Sequence, residues 1–468
     1  MIVQEKGVDF KRFEQEVFKK LCEMGCLFIS QQLKRWDDSL MVHRDRTRYR
    51  HKGLRETTIK TVMGEVPIER AIYKTKTEDG KTAHVYLLDE ALGLGGSGFF
   101  SDFLMEMIAN TACESSFRAT AQAIGEMTGQ TISHTAAWNV VQNLGERIDE
   151  QEQTSAKLAA ANEGVGKLEI PVLFEEMDGV WLKLQGKDRE KHGANKEMKV
   201  AIAYDGAKKI GKKRYRLTNK IATANFEGAK RFWKRKEGKI AETYNVDEIN
   251  TRLVNGDGDP WIHEKIDDTV HSQLDLYHRN KAITKYVSDP DARKIIQDLL
   301  YSKQIDLLLE VIQAYADSTE DKIIRENFLK LLKYFSNNKD ILIPCHQRGL
   351  DLPEPPKGKV YRHMGAMESN IFTIIGNRMK GRRHCWSIRG GNNLARLLCL
   401  KTTGKLSETL QQLGSLVLPE RYAEEIEIKL SAAKVPQREG KGYNGFQSAA
   451  IPMSMPWLKD LAALRPLC

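Results

Sequence analysis

The stretch Val172–Leu184, VLFEEMDGVWLKL, predicts the central strand of the fold. Its apolar and β-branched residues predict a buried strand. Asp178 interrupts this run, and a carboxylate in a hydrophobic strand costs free energy unless a partner compensates its charge. A magnesium ion is one such partner, because Mg²⁺ prefers carboxylate oxygens. The alternative is a turn at the end of a strand, since Asp178-Gly179 is also a strong hairpin signal.

The composition of the whole chain favours a polyanionic partner. Its 468 residues are enough for about two to four domains, and 73 basic against 63 acidic residues give a net charge of +10. Such an excess of positive charge favours nucleic acid first. The seven cysteines include no CxxC pair, which argues against a zinc ribbon or a disulfide framework. Their odd number and scattered positions fit a reducing cytoplasm, and the first residues lack the apolar segment of a signal peptide.

Residues 1–110 are expected to form a small α+β module with possible DNA contacts. Apolar residues at helical spacing predict a helix over 9–36, suited to packing or to dimerisation. The alternation in Thr57–Tyr73 predicts a β-hairpin around Met63-Gly64. Between them lies a basic run that suits either phosphate contacts or a solvated loop. Its candidate phosphate ligands are Arg44, Arg46, Arg48 and Arg50.

Residues 111–165 predict a helix-turn-helix followed by a linker. A short helix over Ser116–Glu126, a turn at Thr128-Gly129 and a second helix over His134–Ile148 give that layout. Ser133 is a favourable N-cap for the second helix. A DNA-reading helix contacts bases from its N-terminal end, and the residues nearest the bases would be His134, Thr135 and Asn139. The alternative is an ordinary helical hairpin, and residues 149–168 are predicted to be a linker.

Residues 166–287 form the first part of the predicted core. Strands are expected over Glu197–Tyr204 and Arg214–Phe226, followed by a crossover helix over Gly228–Tyr244. The next strand, Arg252–Asn255, ends close to Asp257. A fifth strand is expected at Ser272–Tyr277.

The remainder predicts a helical insertion over 288–356, a second part of the core over 357–410 and a C-terminal tail over 411–468. A helix over His363–Arg378 would carry Glu368. No acidic residue then occurs before Glu408, so this face is expected to neutralise phosphates. The candidate ligands there are Arg378, Lys380, Arg382 and Arg383.

Four segments together carry a resemblance to a known family: MDG at 177–179, NGDGDPWI at 255–262, LDLYH at 274–278, and MESN with NRMKGRRHCW within 367–386. With them the chain resembles the DDE transposases of bacterial insertion sequences, and more narrowly the ISLre-type family, which is related to the mutator-like class. The resemblance implies an α/β fold: an RNase H-like catalytic core with a helical insertion, preceded by an α+β and helix-turn-helix DNA-binding region.

The resemblance also implies the catalytic residues. The family's three acids, which are also its metal ligands, match Asp178, Asp257 and Glu368. Asp275 and His278 match a D-x-x-H signature and would support the site. Asp259 departs from the small residue expected at its position, which leaves two candidates for the second acid; we favour Asp257 because it directly ends the predicted strand.

The implied activity is metal-dependent strand cleavage and strand transfer at the ends of an element. The implied cofactors are two Mg²⁺ ions, with Mn²⁺ able to substitute. The implied partners are double-stranded DNA, as terminal inverted repeats and as target, and further copies of the chain in a synaptic complex. The implied location is the bacterial cytoplasm, at the nucleoid. Two alternatives remain open: a sequence-specific DNA-binding regulator without catalysis, and an RNase H-like nuclease that cuts without joining.

Overall fold

The structure is a computed structural model that describes residues 9–77, 79–93, 100–263, 268–381 and 384–414. The chain divides into two compact units. One contains the residues up to Met107, with Ala121–Ala136 and the residues from Gln411, and the other contains Ile108–Thr120 and Ala137–Leu410. Both α-helices and mixed β-sheet are present, so the expected α/β class is confirmed at this level. No helix within the described ranges is both long and apolar enough to cross a membrane.

The first unit begins with a long helix and a small antiparallel sheet. Its elements are α1 (Phe10–His43), β1 (Arg50–Lys60), β2 (Glu65–Lys76), β3 (Thr82–Val85) and α2 (Leu87–Leu92), and the strand order is β1-β2-β3. The predicted hairpin is confirmed, because Lys60 pairs with Glu65 and the Thr61 amide donates to the Gly64 carbonyl at 2.8 Å. The apolar face of α1 is only partly covered: Phe10, Phe13 and Phe28 are exposed.

Three helices follow: α3 (Asp102–Glu114), α4 (Phe117–Thr128) and α5 (His134–Ala160). The predicted N-cap is confirmed, because the Ala136 amide donates to Ser133 Oγ at 3.0 Å. The linker expected from residue 149 is wrong over its first twelve positions, since α5 continues to Ala160. Asp149 and Glu152 explain the extension, because both pair with the buried Arg235 and Arg396.

The sheet of the second unit has five strands. Its elements, with those between them, are β4 (Val172–Lys183), α6 (Gly186–His192), β5 (Asn195–Tyr204), β6 (Ala207–Lys209), β7 (Tyr215–Leu217), β8 (Ile221–Asn225), α7 (Ala229–Thr243), β9 (Thr251–Gly256) and β10 (Val270–Leu274). The order is β10-β9-β4-β5-β8. Both β4–β9 and β9–β10 pair in parallel, and β4–β5 and β5–β8 pair antiparallel.

The predicted third strand, Arg214–Phe226, is two strands. Tyr215–Leu217 pairs with β6 in a separate hairpin, whereas Ile221–Asn225 pairs with β5. Asn219, between them, has a φ of 50°. That left-handed conformation, which Asn tolerates better than most residues, interrupts the extended chain.

Adjacent buried acids on β4 are compensated on opposite faces of the sheet. Glu175 points towards α7, where it pairs with Lys236 and accepts a hydrogen bond from Arg252 Nε at 2.7 Å. Glu237 joins the same network, at 2.8 Å from each of these two cations. Phe232, Trp233 and Met177 pack beside this network. Glu176 faces the opposite side.

The segment predicted to be a helical insertion, 288–356, contains α9 (Pro290–Tyr301), α10 (Ile305–Ser318) and α11 (Lys322–Asn337). The preceding helix α8 (Leu276–Tyr286), which the prediction placed in the core, joins them in one hydrophobic core with Leu274 of β10; α8–α11 are called the helical insertion below. The chain then forms α12 (Met367–Ile371), a π-helical turn (Phe372–Gly376), α13 (Asn377–Met379), α14 (Ile388–Thr402) and α15 (Leu406–Gly414). The helix predicted from His363 thus begins at Met367. Most of the predicted tail, from residue 415, lies outside the described residues.

Replacing Glu175 with Ala should lower the free energy of unfolding by about 3 kcal/mol. The reason is that Lys236 and Arg252 would keep buried charges with Glu237 as their remaining partner. Urea denaturation at neutral pH measures the change. Glu242→Ala is the control, because its side chain is 44% exposed and its pair with Lys239 spans one helical turn. Equal effects of the two substitutions would contradict this account.

Candidate active site

The register of three parallel strands brings three carboxylates to one level of the sheet, where β9 and β10 end and β4 continues. Glu176 on β4 pairs with Asn255 on β9, which pairs with Gln273 on β10. Side chains alternate between the faces of a strand, so residues two positions further along lie on the same face. Those residues are Asp178, Asp257 and Asp275.

Below these carboxylates lies a layer of buried, hydrogen-bonded polar side chains. Asn255 Nδ2 donates to Asp275 Oδ2 at 2.8 Å and to Glu176 Oε2 at 3.3 Å. Gln273 Nε2 donates to Asn255 Oδ1 at 3.0 Å, and the Tyr204 hydroxyl donates to Glu176 Oε1 at 2.6 Å. Buried polar groups that satisfy one another in this way fix the positions of their strands.

Asp178 and Asp257 are less well compensated than this layer. Burial raises the pKa of Asp178 to about 6; the positive charge of His278 opposes this rise, and the negative charge of Asp257 adds to it. Burial also raises the pKa of Asp257, and the charge of Asp259 adds to that rise. Carboxylates whose ionisation is disfavoured by burial and by neighbouring negative charges form a site where a cation would be stabilised.

Asp275 and His278 form one unit at the start of α8. Asp275 caps the helix by accepting hydrogen bonds from the amides of Tyr277 and His278, and its Oδ1 lies 3.3 Å from His278 Nδ1. This hydrogen bond raises the pKa of His278 against the opposing effect of burial, and the charges of Asp178 and Asp257 raise it further. The spacing of the D-x-x-H signature therefore has a structural cause, because the cap aims the imidazole at the carboxylates.

The geometry distinguishes Asp257 from Asp259. Asp257 is partly buried near Asp178, whereas Asp259 is exposed and donates its amide to Asp257 Oδ1 at 3.0 Å. Gly258 between them has a φ of 94°, and a Cβ there would lie 2.6 Å from Asn338 of the insertion. The Tyr334 hydroxyl also donates to the Asp257 carbonyl at 2.7 Å. The helical insertion thus holds the turn that carries Asp257.

Glu368 is held near this level of the sheet through Glu176. Glu176 Oε2 accepts hydrogen bonds from the amides of Gly365 and Ala366, both at 2.9 Å, and of Met367 at 3.2 Å. These amides lead into α12, and Glu368 is exposed in its first turn. A carboxylate at a helix N-terminus satisfies amides that would otherwise lack partners. Sequence reasoning missed Glu176, although a second acid beside Glu175 in an apolar strand was a usable signal.

Within the described ranges, no three side chains of the His, Cys, Asp and Glu types lie close enough together to hold a metal ion. Asp178 and Asp257 nevertheless have the donor chemistry of a hard-cation site, because they offer carboxylate oxygens from partly buried positions where neighbouring negative charges raise their pKa values. Glu368, on a separate short helix, would have to approach them to complete the expected set.

The predicted DNA contacts are mostly exposed. His134, Thr135 and Asn139 lie on the exposed side of the first turns of α5. Arg46, Arg48, Arg50 and Lys380 are exposed as well. Arg44 differs, because it is partly buried and donates to the carbonyls of Met41 and Tyr49, which closes the loop after α1.

The prediction that Arg378 belongs to an exposed basic face is wrong. Arg378 is buried, its Nε donates to the Ala112 carbonyl at 2.7 Å, and it lies over the rings of Phe117 and Trp386. Burial lowers its pKa to about 10. The preceding π-helical turn takes up one residue more than an ordinary turn, which changes the face that the following residues present. Arg382 and Arg383 lie outside the described residues.

Comparison with known proteins relates almost the whole chain to one family. The model described as "Uncharacterised protein family (UPF0236)" matches residues 3–412. The "UPF0236 protein in vanSb 3'region" of Streptococcus gallolyticus is 24% identical over 453 residues, which is 94% of this chain and 92% of that protein.

Two similar UPF0236 proteins come from Caldanaerobacter subterraneus subsp. tengcongensis. One is 25% identical over 303 residues, or 62% of this chain and 60% of that protein. The other is 24% identical over 283 residues, or 59% of this chain and 55% of that protein. The chain thus matches more than half of the length of each.

Asp178→Asn should change how stability depends on pH. A carboxyl group whose pKa is raised on folding binds its proton more tightly in the folded state, so the stability it contributes is lost as pH rises from about 4 to about 6. Asn cannot ionise, so at pH 7 the variant should be more stable than the wild type by at most about 3 kcal/mol.

Thermal or urea unfolding at pH 4 and pH 7 measures this difference, with the exposed Asp298→Asn as the control. The same difference between Asp178→Asn and the wild type at both pH values would contradict the raised pKa.

Glu176→Gln should loosen the segment that leads to Glu368. At a pH high enough to ionise Glu176, whose pKa burial raises, the neutral amide would replace a charged acceptor of three backbone hydrogen bonds. Each such bond contributes about 1.5–3 kcal/mol when one partner is charged. Hydrogen–deuterium exchange of the amides of residues 365–367 should become at least about tenfold faster. Glu169→Gln, at an exposed position, is the matched control. Unchanged protection in Glu176→Gln would show that this carboxylate does not hold the helix.

Proposed function

The chain belongs to the Uncharacterised protein family (UPF0236), and we propose that it is an insertion-sequence transposase that cleaves and joins DNA strands by DDE chemistry. The observation that carries the proposal is the placement of Asp178 and Asp257. Asp178 lies within β4, two residues beyond the last residue that pairs with β9, and Asp257 directly follows β9. The two lie on one face of neighbouring parallel strands, and each is buried enough for its pKa to be raised.

An RNase H-like core is part of this proposal. The expected order of three strands, a helix and a strand agrees with β4, β5, β8, α7 and β9. The first three of these strands are antiparallel neighbours, and the fourth returns beside the first in parallel. The insertion between β10 and α12 agrees with the place that the resemblance gives it.

The proposed roles follow from where each side chain lies. Asp178 and Asp257 would hold the divalent cations, and α12 would bring in Glu368 as the third ligand. When bound, two Mg²⁺ ions supply activation of the attacking oxygen and stabilisation of the leaving oxygen in an in-line displacement. His278, whose pKa is raised, lies beside the two acids and would orient the scissile phosphate. Strand transfer retains the energy of the broken phosphodiester in the new one, so this chemistry requires no ATP.

The partners of this reaction would be element ends and target DNA, with Mn²⁺ able to replace Mg²⁺. The exposed side chains of α5 and of the basic run after α1 would contact the duplex. Two element ends must be processed together, and the exposed apolar residues of α1 would offer a surface for a second copy. The name of one Caldanaerobacter relative contains eleven separate numbered designations that share one prefix. Such a name suits a gene present in many copies, and copies accumulate when an element transposes.

Asp178→Asn, Asp257→Asn and Glu368→Gln should each lower Mg²⁺-dependent nicking and joining of a supercoiled plasmid by more than about a hundredfold. The reason is that even the substitution of a residue outside the direct ligands of a metal site lowers metal affinity or activity by about 10–100-fold. DNA affinity, measured by fluorescence anisotropy, should stay within about threefold of the wild type, because the expected DNA contacts lie elsewhere. The control is Asp259→Asn, an exposed acid two residues from Asp257, which should retain most of the activity.

The same assay separates the alternatives. Nicking without joined products would favour a nuclease that only cuts. DNA binding with no metal-dependent cleavage in any variant or in the wild type would favour a regulator. Full activity in Asp178→Asn or Asp257→Asn would contradict the proposed roles of these residues.

A further inference from the structure

The second unit contains a cavity of about 960 Å³ that is separate from the cluster of acids. One wall is Phe174, on the same face of β4 as Asp178 but four residues earlier, which corresponds to about 13 Å along a strand. Ligand sites in proteins usually have volumes of about 300–1,000 Å³, so the space suits a molecule as large as a nucleotide.

The wall of this cavity is strongly cationic. None of the described residues that line it is an aspartate or a glutamate, whereas six are basic. These are Arg216, Lys220, Arg362, His363, Lys401 and Lys405. A concave surface with charge of one sign attracts ligands of the opposite sign.

The hydrogen bonds of two of these lysines go to neutral partners, although the more distant charges of Glu242 and Glu408 favour the charged form of Lys405. Lys220 Nζ donates to the neutral Asn370 Oδ1 at 2.9 Å, and Lys405 Nζ lies 3.4 Å from the hydroxyl of Thr243. Burial lowers the pKa of both lysines. Lys401 differs, because it pairs with Glu114 at 3.1 Å. An anion in the cavity would therefore supply charge that the walls lack.

The cavity also offers a stacking surface. The Arg362 guanidinium lies 4.0 Å from the ring centroid of Tyr215, and both residues line the cavity. Aromatic rings and guanidinium planes are the groups on which nucleic acid bases stack. Cations together with a flat surface match a ligand that has both a phosphate and a base.

The cavity shares backbone with the candidate active site. Gly365 and Ala366 line it, and their amides are the ones that donate to Glu176. Ser369 and Asn370 of α12 line it too, directly after Glu368. An occupant would therefore contact the same short segment that carries the expected third acid.

We propose that this cavity binds a nucleotide, with its phosphate among the basic residues and its base against Tyr215 and Arg362. The nucleotide would come either from DNA, as a residue extruded from the duplex, or from solution as a free nucleotide. Only the first source rests on the proposed function.

The test compares Arg216→Ala and Arg362→Ala with Lys212→Ala, an exposed basic control in the loop before β7 that does not line the cavity. Binding is measured in EDTA on the full chain, so the result does not depend on cleavage. Circular dichroism and thermal unfolding establish that each variant is folded. The probes are dATP, by calorimetry, and two short duplexes, one fully paired and one with a single unpaired nucleotide, by anisotropy.

If the nucleotide comes from DNA, the wild type should prefer the duplex with the unpaired nucleotide by about tenfold, because an unpaired base costs little to extrude. Both arginine variants should lose that preference. In each variant the slope of log affinity against log salt concentration should also fall by about 1, which corresponds to one lost phosphate contact. A merely structural role would not change this slope. Lys212→Ala should keep the preference for the unpaired nucleotide.

If the nucleotide is free, dATP should bind the wild type and bind each arginine variant about tenfold or more weakly, with no preference between the duplexes. The proposal is overturned if the wild type shows neither response, or if the arginine variants respond as Lys212→Ala does. If the protein binds the nucleotide but shows no DNA cleavage, the proposed transposase function is contradicted, whereas the proposed nucleotide site is not.

Discussion

The second unit depends on two adjacent carboxylates that point to opposite faces of one strand. Glu175 is fully buried against Lys236 and Arg252, and Glu176 is fully buried against three backbone amides. A buried carboxylate without partners is costly, so each acid constrains what packs on its side. The α7 layer and the α12 segment are therefore both tied to β4, from opposite directions.

The same strand shows how a structural acid differs from a candidate functional one. Glu176 is surrounded by donors: a tyrosine hydroxyl, an asparagine amide and backbone amides. Two residues later, Asp178 accepts a hydrogen bond from the Gly179 amide and faces the charge of His278, but also that of a second acid, Asp257. Asp178 therefore differs from Glu176 in having few hydrogen-bond donors around it, and not in being buried. The structural acids of this strand are paired with donors or cations of the chain itself.

Much of this arrangement could be predicted from local patterns. The apolar run around Asp178, the strand before Asp257 and the crossover helix depend on periodicity and turn residues, which are local signals. The apolar strand around Glu176 was a usable signal that this acid is buried, but its partners could not be predicted, because the amides it accepts from lie about 190 residues away in the chain. The inward position of Arg378 and the extension of α5 to Ala160 were missed for the same reason, since both depend on partners distant in sequence.

The π-helical turn at Phe372–Gly376 divides one helical segment into two parts with different contacts. Upstream, Glu368 keeps its place because Glu176 fixes the start of α12. Downstream, the additional residue changes the direction in which the following side chains point, because each residue of a helix is rotated by about 100° about the helix axis relative to the one before it. Removing one residue here would leave the start of α12 in place and turn Arg378 by about 100° about the helix axis, away from the Ala112 carbonyl that its Nε contacts. The basic motif after Glu368 therefore does not by itself fix the direction in which its side chains point.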